Sequence, residues 1–338
     1  MRVLVTGGLG VIGSTIARRL IASGHSAVII DAAEAERNIW IQRQLSSEYP
    51  ASTCLVAKTS NGGMRLETMD AGKLAENCDV LGVEAVIHCA ASTGIPHSVI
   101  HPDDDWKSNV DATRVLLEAL RLRPVPTVVL SSVKPYAVPD DIEARGGLRE
   151  DDLLIPDEPY AASKAAQSML AMAYARSYGI SVVTFRCSNL YGPAPCHGPR
   201  HGWLTWFAIS SAIGRPIEMQ GTGEQTRDML HGDDVYTACM LAIENAQRLK
   251  GRVFNLGGGA DNRISVADAA TTLAAMGGVD IVRGPARAMD DMHVFANTGA
   301  FLKETGWRPL VGVQDGMRSV FEWAKANADE LRKLYEGA

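Results

Sequence analysis

The sequence predicts an α/β protein with a doubly wound parallel sheet. Short apolar runs that suit buried strands alternate with longer segments of helical periodicity over more than half of the chain. The chain has 338 residues, enough for one large domain or two modest ones. Strand–helix alternation favours right-handed crossovers, so we expect parallel strands with helices covering both faces of the sheet.

Strands and helices alternate over most of the chain before Asn189, and one further strand and one further helix follow it. We expect strands at 2–6, 26–31, 85–89, 127–131, 182–186 and 252–256, and helices at 13–23, 111–122, 160–178 and 313–334. The alternation fails between residues 32 and 68, where 46–63 is polar and irregular, and no element is assigned there. Residues 191–202 are rich in proline and glycine and are expected to form a long loop.

The loss of regular strand–helix alternation after Asn189 suggests two domains. We expect a nucleotide-binding domain at 1–185, to which 232–258 returns, and a smaller C-terminal α/β substrate-binding domain made of 186–231 and 259–338.

Composition excludes several classes of protein. The net charge is −6 and no basic stripe is present, which argues against nucleic-acid binding. The apolar runs are too short to span a bilayer, and no basic-plus-apolar leader precedes the first strand, so we expect a cytoplasmic protein without membrane contact. The six cysteines show no Cys-x-x-Cys spacing, and the histidines lack ligand spacing, so no metal site is expected.

A glycine-rich loop follows the first strand and opens the first helix. Residues 8–13 fit Gly-x-Gly-x-x-Gly, and three glycines also stand three apart. In that context glycines permit a tight turn, and a helix N-terminus with free N–H groups faces a pyrophosphate. This predicts a Rossmann-type dinucleotide site containing Gly7, Gly10, Val11, Ile12 and Gly13.

An acidic residue at the end of the second predicted strand discriminates between NAD and NADP. Asp31 stands eighteen residues after Gly13, where a carboxylate can accept a hydrogen bond from a ribose 2′-hydroxyl. A 2′-phosphate would be repelled there, and Ala32 and Ala33 supply no cation. The sequence therefore predicts NAD rather than NADP.

The catalytic group is predicted from two segments. Tyr160 and Lys164 stand four apart in a helical segment and so share one face. A nearby ammonium and the positive charge of NAD⁺ favour the phenolate, which makes Tyr160 a usable base. Ser132 closes an apolar strand at the sheet edge where ligands of open α/β sheets bind, and it can hold a substrate hydroxyl.

Taken together, these motifs resemble the extended short-chain dehydrogenase/reductases, the sugar-nucleotide epimerases and dehydratases, over essentially the whole chain. Residues 88–92 resemble the family's strand-end segment beside the cofactor. The resemblance implies that the cofactor site also includes Asp70, Ala90, Ala91 and Asn109, together with Tyr160 and Lys164. The glycine that usually precedes Asp70 is absent here.

The second half of the chain resembles the family's nucleotide-diphosphate site. Arginine forks suit a diphosphate because they donate paired hydrogen bonds. The resemblance implies that Asn189, Arg227 and Arg287 contact phosphate and that Asp290 meets the nucleoside ribose. Segment 202–207, which contains Trp203, segment 225–231 and Lys134 resemble the CDP-paratose (CDP-tyvelose) 2-epimerases. Departures from the family are Pro135-Tyr136-Ala137 for Val-Tyr-Gly, and Asn297 for an aspartate.

The family's dehydratases carry an Asp-Glu pair after the strand-end hydroxyl, where this chain has Val133 and Lys134. We therefore expect a nucleotide-sugar epimerase that oxidises a hydroxyl transiently and returns the hydride, specifically at C2 of a CDP-deoxysugar. The alternatives are an NAD-dependent sugar or sugar-acid dehydrogenase and a non-enzymatic nucleotide-sensing protein. Family likeness implies a homodimer formed through the helices at 111–122 and 160–178.

Overall fold

The computed structural model of the protein describes residues 1–31, 36–56, 58–59, 62–63, 65–196, 198, 202–286 and 291–336. The strands, in chain order, are β1 (Arg2–Thr6), β2 (Ser26–Ile30), β3 (Cys54–Val56), β4 (Lys58–Thr59), β5 (Gly62–Gly63), β6 (Ala85–His88), β7 (Thr127–Ser132), β8 (Val182–Cys187), β9 (Asn189–Tyr191), β10 (Ile217–Gln220), β11 (Thr226–His231), β12 (Val253–Leu256), β13 (Arg263–Ser265), β14 (Ile281–Gly284) and β15 (His293–Val294).

The helices are α1 (Val11–Ala22), α2 (Glu36–Glu48), α3 (Ala71–Val80), α4 (Ile95–Ile100), α5 (Pro102–Asp105), α6 (Ala112–Leu122), α7 (Pro159–Tyr178), α8 (Trp203–Ala212), α9 (Gly232–Glu244), α10 (Ala246–Leu249), α11 (Val266–Gly277), α12 (Gly299–Thr305), α13 (Val313–Ala326) and α14 (Ala328–Leu334). A π-helical stretch, Trp106–Asp111, joins α5 to α6. Over the described ranges, no helix has the length and apolar character required to cross a membrane.

The central sheet confirms the predicted fold class. It contains seven strands in the order β3-β2-β1-β6-β7-β8-β12, and every neighbouring pair is parallel. Strands β2 and β3 lie on one side of β1, and the later strands, from β6 onward, lie on its other side. Loops leaving the carboxyl ends of β1 and β6 diverge at this reversal, which creates the crevice where such sheets bind ligands.

The strands are buried on both faces because their residues are apolar without alternation. Val3 and Val5 enter the core shared with α1 and α9, whereas Leu4 between them enters the core shared with α3 and α6. A third core joins α8, α11 and α13 in the second half of the chain. Beside it lie a small sheet of β9, β11, β13 and β15, and the pair β10–β14.

Two regions differ from the sequence expectation. The unassigned stretch contains helix α2 and strand β3, which pairs with β2. Helix α2 buries the polar Arg37 and Asn38 beside Ile41 and Leu45, so its inner face does not appear apolar in the sequence.

The expected single helix at 313–334 is two helices, α13 and α14, and this expectation was wrong. The break falls at Asn327, whose side-chain amide donates to the carbonyl oxygen of Trp323 at 2.8 Å.

Candidate active site

The glycine loop is packed too closely for side chains. Gly7 has a φ of +67°, and a Cβ there would lie 2.6 Å from the backbone nitrogen of Ala90. A Cβ on Gly13 would lie 2.2 Å from the carbonyl oxygen of Gly7. Helix α1 starts directly after this turn, so its first N–H groups are available to a phosphate. The loop is the form of cradle that a dinucleotide pyrophosphate requires.

Asp31 lies just beyond the end of β2, where it closes the glycine loop from the side. Its Oδ2 accepts a hydrogen bond from the backbone N–H of Leu9 at 2.7 Å. The guanidinium of Arg37, at the start of α2, is close enough for Asp31 to favour its charged form, although burial lowers the Arg37 pKa overall. Nε and Nη2 of Arg37 donate to Oδ1 of Asn38. Arg37 and Asn38 were missed at the sequence level because α2 was not recognised.

A cleft of about 900 Å³ follows the carboxyl edge of the sheet. Its walls include most of the residues that the sequence assigned to the cofactor: Gly7, Gly10, Val11, Ile12, Gly13, Asp31, Ala90, Ala91, Tyr160 and Lys164. A second cavity of about 280 Å³ adjoins it. Ser132, Tyr160, Asn189 and Trp203 line both spaces. Ser132 and Tyr160, two of the three predicted catalytic residues, therefore stand where the two cavities meet.

Two opposing effects act on the pKa of the Tyr160 phenol. Burial raises its pKa to about 12, while a hydrogen bond with the Ser132 hydroxyl acts in the opposite direction. The backbone N–H groups of Tyr160 and Ala161 donate to the buried Glu158 carboxylate at 2.7 and 2.8 Å, which caps α7 and fixes its first turn.

The Lys164 ammonium donates its hydrogen bonds to Leu130 and Gln167 rather than to Tyr160. Its Nζ donates to the carbonyl oxygen of Leu130 at 3.0 Å and to Oε1 of Gln167 at 2.7 Å. Burial lowers its pKa to about 8. The sequence predicted a Tyr160–Lys164 pair on one helical face, and both side chains do line the same cleft. Gln167, one turn further along α7, was not anticipated.

Two other predicted cofactor residues have different surroundings. Asn109 is fully buried, and its amide bonds the backbone of Ser92 and donates to Oγ of Ser163 at 2.8 Å. Asp70 is exposed and caps α3 by accepting from the backbone N–H of Lys73 at 2.9 Å. Neither is among the residues that line the cleft, where the nearby segment contributes Arg65, Leu66 and Glu67.

The smaller cavity contains the predicted substrate residues that can be located. The indole Nε1 of Trp203 donates to Oδ1 of Asn189 at 3.4 Å, and Arg227 lies in the wall. Nη1 of Arg227 donates to the carbonyl oxygen of Thr226 at 2.8 Å. Arg287 and Asp290 lie outside the described residues, as do Ala32 and Ala33. All the predicted site roles stay predictions.

Lys134 lies in the wall of this smaller cavity, two residues after Ser132. Its Nζ donates to Asp157 at 3.3 Å and to Asp291 at 3.1 Å. These carboxylates outweigh the desolvation of the ammonium and raise its pKa. Val133, its neighbour, points into a small apolar core. A cation and an apolar side chain therefore stand at the two positions after the strand-end hydroxyl.

Comparison with known proteins gives a consistent result. Residues 3–257 match the model of the NAD dependent epimerase/dehydratase family. The chain is 25% identical to the CDP-paratose 2-epimerase of Salmonella typhi, over 96% of this chain and all of that protein.

Solved structures agree in fold over the whole length. A dTDP-glucose 4,6-dehydratase from Streptomyces venezuelae, with NAD and TYD bound, has a TM-score of 0.84 at 27% identity, covering 99% of this chain and 100% of the other. A UDP-glucose 4-epimerase from Thermotoga maritima, with UDP-glucose, has a TM-score of 0.80 at 26% identity, covering 97% and 99%.

Proposed function

Because this chain belongs to the NAD-dependent epimerase/dehydratase family, and so is an NAD-dependent enzyme of the extended short-chain dehydrogenase/reductase type, we propose that it is a nucleotide-sugar epimerase. The observation that carries the proposal is the position of Ser132 and Tyr160. Both side chains line the large cleft and the smaller cavity, so one sugar hydroxyl can reach them while its nucleotide occupies the smaller space.

The residues present fit the cofactor. A Cβ at Gly7 or Gly13 would collide with neighbouring backbone, so the tight turn that brings N–H groups to a pyrophosphate needs glycine there, and the Asp31 carboxylate suits an unphosphorylated ribose 2′-hydroxyl. When bound, NAD supplies the acceptor and later the donor of a hydride. The protein then has to hold the sugar, move one proton and keep the ketone in place.

The proposed steps follow from three side chains. Ser132 holds the reacting hydroxyl, and Tyr160 takes its proton as the hydride leaves the same carbon. Lys164, charged in the cleft, favours the tyrosinate form of Tyr160. After the ketone presents its other face, the hydride returns to that carbon and Tyr160 returns the proton to the oxygen. The two hydroxyl configurations interchange and no net oxidation occurs.

Elimination of water is less compatible with this site. A dehydratase needs an acid and a base beside the strand-end hydroxyl. Here Val133 is buried in an apolar core, and Lys134 is engaged by Asp157 and Asp291. This difference favours epimerisation, although proteins named as dehydratases are among the relatives.

We also propose the substrate class and the arrangement of domains. Arg227, with Asn189 and Trp203 in the same cavity, would bind the diphosphate and sugar, with Arg287 and Asp290 contributing from the predicted motif. The specific reaction proposed is 2-epimerisation of a CDP-deoxysugar, in keeping with the Salmonella relative. Segments 186–231 and 259–338 would form the substrate domain, and 1–185 with 232–258 the cofactor domain.

An isotope experiment tests the reaction type. The enzyme is incubated with a CDP-deoxysugar carrying deuterium at C2, without added NAD, and the label is followed by NMR. We expect inverted configuration with deuterium retained at C2. Deuterium in released NADH would identify a net dehydrogenase instead, and loss of label to solvent would indicate enolisation. If only another nucleotide sugar reacts with retention, the mechanism stands and the CDP-deoxysugar assignment is wrong.

A further inference from the structure

A buried chain of polar side chains runs from the first strand to Lys164, and the mechanism above does not use it. Four hydrogen bonds make the chain: Thr6 Oγ1 to His88 Nδ1 at 2.6 Å, His88 Nε2 to Thr113 Oγ1 at 2.9 Å, Gln167 Nε2 to Thr113 Oγ1 at 3.0 Å, and Lys164 Nζ to Gln167 Oε1 at 2.7 Å. Thr6, His88, Thr113 and Gln167 are all completely buried.

The direction of each hydrogen bond follows from counting donors. An ammonium can only donate, so Gln167 must present Oε1 to Lys164 and its NH₂ to Thr113. The Thr113 hydroxyl has a single hydrogen, which it donates to the carbonyl oxygen of Asn109 at 2.7 Å. His88 must therefore donate from Nε2 to Thr113 and accept at Nδ1 from Thr6. Burial lowers the pKa of His88 to about 3, so the ring is neutral and can hold this one tautomer.

This arrangement fixes which end of the Gln167 amide faces the ammonium. Were the amide reversed, its NH₂ would oppose the Lys164 ammonium and its oxygen would meet a Thr113 hydroxyl already donating elsewhere. Gln167 Oε1 and the Leu130 carbonyl oxygen take two of the three ammonium hydrogens. Within the described residues no further acceptor for Lys164 is present, and Lys164 lines the dinucleotide cleft.

We propose that Gln167 is a positioning residue for Lys164: its side-chain oxygen, fixed by Thr113 and His88, keeps the ammonium charged and directed into the dinucleotide cleft. The inference deepens the proposed function, in which Lys164 assists Tyr160. Its test does not depend on the sugar, because NAD binding alone reports the position and charge of Lys164.

Other ionisable groups face Lys164 from the neighbouring elements. They are Asp105 at the end of α5, His88 and Cys89 at the end of β6, and Cys187 on β8. Burial raises the pKa of both thiols and keeps them neutral, and His88 is neutral as well. Asp105 faces Lys164 unchanged in every variant below, so differences between variants report Gln167.

The first measurement is calorimetric titration of cofactor-stripped protein with NAD at neutral pH. Gln167→Met keeps the side-chain length and removes the acceptor, and we expect NAD affinity about tenfold weaker, the scale of one hydrogen bond to a charged group. Ser168→Ala is the matched control. Ser168 is the next residue on α7, is equally buried and bonds Arg186 instead of Lys164, so this variant should bind NAD like wild type.

A second pair of variants separates positioning from packing. Thr113→Val preserves the shape but cannot hold the Gln167 amide, so we expect the same loss of NAD affinity as in Gln167→Met. Thr113→Ser restores the hydroxyl and should bind within about twofold of wild type. The proposal is overturned if Gln167→Met binds NAD like wild type, or if Thr113→Ser is as weak as Thr113→Val. Should Gln167→Met not fold, the Thr113 pair decides. If the wild-type protein binds NAD but converts no nucleotide sugar, the proposed epimerase function is wrong, and the role of Gln167 is still tested by NAD binding.

Discussion

Tyr160 illustrates how strongly the acid–base chemistry of a single residue depends on its surroundings. Its side chain is half-buried in the cavity wall, and desolvation raises its pKa to about 12, so the neutral form dominates in the absence of cofactor. A hydrogen bond with the Ser132 hydroxyl opposes this shift. Proton removal therefore requires further positive charge near the phenol, which in the proposed mechanism the Lys164 ammonium and the oxidised cofactor would provide.

Replacing this phenol tests its assignment as the acid and base. Tyr160→Phe removes one oxygen from a residue at the cavity wall, so we expect the fold and NAD affinity to persist. Turnover of a nucleotide-sugar substrate should fall by roughly 10² to 10⁴, the usual contribution of a positioned acid–base group. Steady-state rates with circular dichroism and NAD titration as controls provide the measurement. Turnover near the wild-type rate would mean that another group moves the proton.

Lys164 should give the protein a distinctive pH dependence of stability. Burial lowers its pKa from 10.5 to about 8, so below pH 8 the folded protein bears the full cost of a buried ammonium. Between about pH 8 and 10.5 the folded state has released a proton that the unfolded state retains, and stability rises with pH. Above that window the cost has disappeared.

The corresponding variant is Lys164→Met, which cannot titrate. Relative to this variant, wild-type protein without cofactor should gain stability between pH 7 and 10, by up to about 1.4 kcal/mol for each pH unit inside the window. Thermal midpoints of both proteins at the two pH values measure the change. Comparing the proteins at each pH cancels every other titrating group. A difference that stays constant, or that moves in favour of the variant, would contradict the assignment.

At the scale of elements, prediction succeeded where local sequence is decisive. Helix α7 runs from Pro159 to Tyr178, one residue from the expected start, because Glu158 caps it and Gly179 ends it with a φ of +69°. Helix α2 was missed because its buried face includes Arg37 and Asn38, whose polar side chains belong to the cofactor cleft. These polar side chains interrupt the apolar periodicity by which a helix is recognised in the sequence.

The same distinction applies to the site. Gly7, Asp31, Ser132 and Tyr160, which line one cleft, could be selected from the sequence because each belongs to a short motif at the end of a predicted strand or the start of a predicted helix. The surroundings of Lys164 were not predicted, because Leu130 reaches it from β7, and Thr113 on α6 contacts Gln167, which lies one turn further along α7. Only the folded chain brings them together.

The glycine loop gives a prediction for the first β–α unit. Gly13→Ala places a Cβ 2.2 Å from the Gly7 carbonyl oxygen, so the loop must open to accept it. We expect NAD affinity to fall at least tenfold, since the backbone N–H groups would no longer converge on the pyrophosphate. Gly312→Ala is the control, because the nearest atom lies 4.0 Å away and the backbone has a φ of −63°. Unchanged NAD binding in Gly13→Ala would exclude a close pyrophosphate contact.

At the scale of the molecule, the surface around helices α6 and α7 carries exposed apolar side chains. Large apolar side chains are exposed there on α4, the π-helical stretch and both long helices: Val99, Ile100, Trp106, Leu122, Met169 and Tyr178. Trp106 and Met169 are each 52% exposed. Contiguous apolar patches on a folded protein commonly mark contact surfaces. Their position on the helices expected to pair favours a second copy of this chain as the partner.

We therefore predict that the protein is a homodimer in solution and that Met169→Glu weakens it. If Met169 lies in an isologous interface, the added carboxylate enters it twice, because the two-fold axis brings the same patch of both copies together. Sedimentation velocity should show a dimer for wild type and a monomer for Met169→Glu at micromolar concentration. Leu310→Glu adds the same charge to a leucine that is 77% exposed outside this surface, and it should remain dimeric. A monomeric wild type would leave these apolar side chains without the proposed partner.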